Sequence, residues 1–347
     1  MVNGKTMLLL VALLAPVAAW ANDGFGGLTA TGLQFQKNES VRMVAEDLFL
    51  SLGKIRVQYV FRNDGPEAVA GEVIFPLPPI SLAELADDMM FAIPRELLDR
   101  ENVVDFSARV DGQAIAVRSE RIAVLEPPYD ERRGTVGRYE TPGEDVTGLM
   151  TELGIPLSLD VAKVAAVLDR LPPSDKERLR AKGLADFVEG DQPVPLWSIV
   201  VRYHWPQNFP PGRDVRIEHA YTPSPPGGVF VWPTKGQGPS EDQREQIGTY
   251  CIDAATQKAL GKLLRPRREG MVAGTAFQLD YVLTTAATWH GPIGSFRLTI
   301  DKGKPDNVLS LCIDGIRKTG PTTFVVEKKD FVANRDLRLL IVAGPEH

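Results

Sequence analysis

Two histidines on neighbouring strands are a common beginning for a metal site, and His204 and His219 each sit in a run of alternating apolar residues. Side-chain parity speaks against a shared site. Ile199, Val201 and Tyr203 form the apolar row of the first run; Val215, Ile217 and Tyr221, with His219, form that of the second. If the runs pair as a hairpin with both apolar rows on one side, His204 falls on the other face with Arg202, Arg216 and Glu218. The pattern therefore predicts His219 as a core histidine bonded to a neighbour and His204 as a surface residue. The sheet should separate the two imidazoles. His290 lies in Trp289-His290-Gly291-Pro292-Ile293-Gly294, whose glycines and proline read as a turn between strands. An aromatic beside an imidazole on a loop can bind a ligand or partner; the plainer expectation is a turn whose Trp289 packs over the sheet end.

Complete catalytic patterns are missing from the sequence. There is no Gly-x-Ser-x-Gly elbow, no His-Glu-x-x-His, no phosphate loop and no Gly-x-Gly-x-x-Gly after a strand. Acidic pairs such as Asp87-Asp88 and Glu144-Asp145 read as solvated loop charge. No catalytic, metal or cofactor-binding residue is assigned, and no cofactor is expected.

The elements around these residues are mostly strands. Ile55, Val57, Tyr59 and Phe61 alternate with polar residues, and Asn63-Asp64-Gly65-Pro66 turns the chain into a second strand, Val69 to Phe75. Asp111-Gly112 between two apolar runs signals a hairpin. Between 144 and 190 the period changes. Leu157, Val161, Val164, Leu168 and Leu171 share a helical face, Pro172-Pro173 ends it, and Ser174 with Glu177 suggests a capping box for a second helix. The expected architecture is mainly β: two antiparallel β-sandwich-like domains, 22–233 and 246–347, with a helical hairpin inserted at 144–190 and a linker at 234–245.

Residues 1–21 have the form of a secretory leader: Lys5, an apolar run from Met7 to Ala19, and the small-x-small site Ala19-Trp20-Ala21. Cleavage is expected between Ala21 and Asn22, leaving no transmembrane anchor and a chain free in the periplasm or secreted. Loss of Lys5 takes the formal charge from −6 to −7, and the remaining positive residues are scattered apart from Arg265-Pro266-Arg267-Arg268. Nucleic acid is not an expected partner, because phosphate binding needs clustered Lys and Arg. The two cysteines, Cys251 and Cys312, allow one pairing, and an even count in an exported chain predicts a structural disulfide.

Several phrases carry a family resemblance: Asn22-Asp23-Gly24, Val57 to Asn63, Phe75-Pro76-Leu77-Pro78, Tyr203 to Pro211, His219 to Pro223, and Trp289 to Phe296, together with Tyr250-Cys251 and Leu311-Cys312. They resemble a family of bacterial exported proteins, domain of unknown function 4424 (DUF4424), over nearly the whole mature chain. The resemblance implies an exported β protein and no particular activity. Through Tyr59, Phe61, Asn63, Phe75, Pro76 and Pro78 the first domain is also weakly similar to the vault and inter-alpha-trypsin (VIT) type of β domain, whose members resemble interaction modules.

The function expected from the sequence is a non-enzymatic binding or interaction protein of the cell envelope, with an envelope protein or component as partner. The alternatives are a carrier of a small or lipid-like ligand and a hydrolase with a carboxylate and histidine site. Candidate contact residues lie on three predicted loops: Gln207 and Phe209, Pro225 and Gly227, and Trp289 and His290.

Overall fold

The computed structural model of the chain describes residues 24–29, 32–86, 93, 95–127, 143–188, 190–223, 225, 227–233, 238–264 and 273–345. The predicted leader, the Ala21/Asn22 cleavage site and the basic run 265–268 lie outside the described residues.

The protein is mainly β, in several largely antiparallel sheets. In chain order its longer strands begin with β1 (Gly24–Thr29), β2 (Gly32–Phe35), β3 (Val41–Ser51), β4 (Ile55–Asn63) and β5 (Val69–Pro76). The hairpin predicted at Asp111-Gly112 joins β6 (Ser107–Val110) to the short β7 (Gln113–Ala114), and β8 (Arg118–Leu125) follows. After the helical segment come β9 (Ser198–Phe209), β10 (Asp214–Tyr221) and β11 (Gly227–Val231). The rest are β12 (Ala273–Tyr281), β13 (Ile293–Asp301), β14 (Val308–Leu311), β15 (Thr323–Phe331) and β16 (Leu337–Ala343).

Among the described residues these strands form three main sheets. The first runs β8-β9-β5-β1-β2, the second β15-β13-β3-β4-β10-β6-β7, and the third β11-β12-β16-β14. Strict alternation in β4 sends Ile55, Val57, Tyr59, Phe61 and Asn63 to one side, where all are buried. That row meets Val73, Phe75, Tyr203 and Trp205 of the first sheet in one shared core. Gly71 lets β1 dock on β5, since a Cβ there would stand 2.4 Å from the Phe25 ring.

The segment expected as a linker does not divide the sheets. β13 pairs with β3 in parallel from Ser295 opposite Ala45 to Asp301 opposite Ser51, so strands from both sides of 234–245 share one sheet and one core. Part of that segment is helical: Ser240 and Gln243 form a capping box at the start of a helix, Glu241–Thr249. Period-two alternation marks a strand without naming its partner, and this pairing joins residues some 250 positions apart.

In the 144–190 segment the helices are α1 (Thr147–Glu152), α2 (Val161–Arg170) and α3 (Pro173–Ala181). The side chain of Asp160 caps α2, whereas α3 starts at Pro173 without the capping box expected from Ser174. Proline suits the first helical position, where its missing N–H would have no partner in any case. Val164, Leu168 and Leu179 are fully buried in the main core, as the spacing of the apolar residues predicted. Two later helices, α4 (Glu241–Thr249) and α5 (Ala254–Leu263), cover the third sheet through a second core of Leu260, Leu264, Phe230, Leu340 and Val342.

Candidate functional site

The junction between the first two sheets is set by the connection from β9 to β10. These strands do not form a hairpin. Pro210-Pro211-Gly212 carries the chain from the first sheet to the second, Gly212 adopts φ +66°, and its N–H donates to Asn63 O at 2.8 Å. The apolar rows of β9 and β10 therefore face each other across the core.

His219 is 2% exposed and lies among the rings of Tyr59, Phe75 and Phe106, in the core as parity predicted. His204 is on the opposite face of β9, yet it is not a surface residue. Only 6% of it is exposed, and its Nδ1 stands 2.9 Å from Oε2 of Glu72 on β5. The hairpin of β1 and β2 reaches this outer face: Arg202 donates to Leu33 O at 3.1 Å, Leu33 N–H donates to Glu120, and the Leu33 side chain is buried. An outer sheet face reads as solvent in the sequence, and a short terminal hairpin lying over it leaves no periodic signal.

Removing His204 would leave a buried carboxylate. His204→Ala is expected to lower the unfolding free energy by about 3 kcal/mol, since breaking a buried pair leaves a charge without its partner. Glu72→Leu combined with His204→Leu should restore most of that loss. Urea titration of the single and double variants measures both, and a loss below about 1 kcal/mol in His204→Ala would show that the pair has little weight.

The candidate contact residues separate sharply. Phe209 and Trp289 are core residues, 0% and 1% exposed, packed edge-on against each other, with both against Phe61 and Trp289 also against Phe25. They seal the junction and offer no contact surface. His290 is exposed at its turn, with its N–H donating to Val41 O at 2.9 Å. Gly227 opens β11, and Pro225 precedes it, partly buried. Gln207 lies within β9 and lines a cleft of about 610 Å³.

That cleft opens where the second sheet ends at β6–β7 and the chain crosses to β8. Val110, Ile115 and Trp205 form its apolar base, with Ala114, Ala116 and Pro206 beside them. Asp111, Gln113, Gln207 and Arg213 supply the polar groups, and Arg213 and Asp111 form an ion pair at 3.5 Å. Behind Trp205, Tyr203 stacks face to face on Phe106 with centroids 4.5 Å apart, and burial pushes its phenol up to about 12. Tyr203 thus stays protonated at physiological pH.

Beyond the cleft, Glu46 is 1% exposed on the core face of β3, opposite Tyr59. Neither Glu46 nor Glu72 stands out in the sequence, because a glutamate within an alternating strand gives no sign of burial. The backbones of Cys251 and Cys312 are 5.1 Å apart, Cα to Cα, with the sulfurs at disulfide distance. Among the described residues, no three His, Cys, Asp or Glu gather to hold a metal, and no helix is long and apolar enough to cross a membrane.

The sequence profile of a family described as domain of unknown function (DUF4424) matches residues 21–340. The chain belongs to the DUF4424 family. No curated protein matches this DUF4424 chain. Among solved structures it is similar to a candidate nutrient binding protein from Legionella pneumophila, at 15% identity and a TM-score of 0.42, over 92% of this chain and 72% of that one. It is also similar to an M1 zinc metallopeptidase from Deinococcus radiodurans, at 9% identity and a TM-score of 0.25, over 90% of this chain and 43% of the peptidase. Neither likeness bears on what the DUF4424 chain does.

Proposed function

We propose that this DUF4424 chain is an exported, non-enzymatic binding protein of the cell envelope that receives its partner in the cleft between the first two sheets. The observation that carries the proposal is the cleft's construction. An apolar base on rigid strands is bordered by a few polar side chains, the arrangement of a preformed recognition site. Its carboxylate is held in an ion pair with Arg213 rather than set beside a nucleophile. The interior between the sheets is filled by the rings of Phe61, Phe75, Phe106, Tyr203 and Trp289, which favours a partner bound at the open cleft over a ligand carried between the sheets.

Site-specific photocrosslinking in intact cells tests this. A benzophenone side chain at Gln113 or Arg213 is expected to give the same covalent adduct, and one at exposed Lys318, in the short strand at the far edge of the second sheet, to give none. Absence of the adduct at both cleft positions, or an equal yield at Lys318, would remove the cleft as the binding site.

A further inference from the structure

β9 is fully flanked on one side only. Arg202 to Phe209 pair with β5; on the other side Ser198 to His204 pair with β8, and that ladder stops at His204 opposite Arg118. The residues leading into β8 turn away to the second sheet, where Ile115 N–H donates to Ala108 O at 3.2 Å. Among the described residues, no strand flanks Trp205 to Phe209 on that side, and the cleft lies there.

The direction of the main-chain groups follows from one bond. Leu77 N–H, just after β5, donates to Val201 O at 2.8 Å, so odd-numbered residues of β9 turn their main chain to β5. Pro206 and Asn208 then turn theirs to the vacant flank. Proline agrees with this placement, since it has no N–H to contribute to a ladder. Asn208 C=O accepts a hydrogen bond from Nε2 of Gln207 at 2.8 Å. What remains is the C=O of Pro206 and the N–H of Asn208, one on each side of Gln207.

A single residue of a parallel strand, opposite Gln207, satisfies both: its N–H donates to Pro206 C=O and its C=O accepts from Asn208 N–H. An antiparallel strand reaches the same two groups through two residues, those on either side of the one opposite Gln207: the N–H of one donates to Pro206 C=O and the C=O of the other accepts from Asn208 N–H. Pro206 and Asn208 are exposed while Trp205 is buried, so the incoming residue opposite Gln207 has its side chain inward, over Val110, Ile115 and Trp205.

The geometry points to an extended polypeptide as the ligand of the cleft, added alongside β9 with apolar side chains inward at alternate positions; in a parallel strand those same residues make the main-chain bonds, and in an antiparallel strand their outward-facing neighbours make them. This deepens the binding function proposed above and rests on it. The mode is strand addition to a sheet edge, where main-chain bonds give affinity and alternate side chains give specificity.

The probe is a fluorescent acetylated and amidated peptide, (Val-Thr)3, whose binding to the full mature chain is followed by anisotropy. N-methylation of one alternating set of its amides is expected to weaken binding by about tenfold or more, the valines for a parallel strand or the threonines for an antiparallel one, and N-methylation of the other set by less than about threefold. Asn208→Pro should match the first loss. If Asn208→Pro fails to fold, the two methylated peptides decide the matter on the unaltered protein. Equal losses from both methylations would overturn strand addition. So would failure of the unmethylated peptide to bind a protein that still gives the Gln113 adduct in cells, because the cleft would then take another kind of partner. Loss of both the adduct and peptide binding would remove the site itself.

Discussion

Trp289→Ala is expected to lower the unfolding free energy by about 4 kcal/mol, within the range for deleting a buried tryptophan side chain. Its ring is the point where three parts of the fold meet. It lies 4.4 Å from Phe61 of the second sheet, 5.5 Å from Phe209 at the end of β9, and 5.7 Å from Phe25 of β1, centroid to centroid. A cavity there loses contacts to all three at once, and relaxation of one neighbour cannot refill it. Against a typical total of about 5 to 15 kcal/mol, the variant keeps only part of its stability. In guanidinium the midpoint should fall by about 1 M, and Trp289→Phe should fall less than half as far. If Trp289→Ala kept its midpoint but lost partner binding in cells, Trp289 would be a contact residue after all, as the loop expectation had it.

The outcome for Trp289 shows which kinds of information the sequence carries. Alternation in β4, and the spacing of Val164 and Leu168 in α2, are local and survive in the structure because one face of each element is buried. Gln207 and Phe209 are two residues apart on one strand, yet one lines a cleft and the other is sealed under Trp289. Their difference is set by where β8 leaves the edge of β9, a tertiary event with no local signal. His204 makes the same point from the outer face. Parity placed it correctly away from His219, but parity describes faces rather than what covers them. The parallel pairing of β13 with β3 joins the two halves of the chain, and Pro/Gly-rich composition around 234–245 only resembled a boundary between them.

Cys251→Ser combined with Cys312→Ser is expected to destabilise the chain by about as much as the loss of Trp289. The two positions are 61 residues apart, and on the chain-entropy model a crosslink closing such a loop contributes about 4 kcal/mol through the unfolded state. Its position decides where the loss appears. Cys251 follows α4 with φ +51°, a left-handed conformation unusual for a residue with a side chain, and Cys312 follows the edge strand β14. Ser310 Oγ donates to Tyr250 O at 2.9 Å beside them. The crosslink therefore fastens the α4–α5 connection to the third sheet, whose small core is separate from the larger one. Amide exchange in the double variant should quicken first across residues 247–263, while β3 and β4 stay protected. If β3 and β4 lost protection together with α4 and α5, the second core would have no stability of its own to lose. Alkylation gives the prior check: in denaturant without reductant neither thiol should label, and with reductant both should. Labelling of both without reductant would show open thiols and take away the covalent constraint from which the 4 kcal/mol follows.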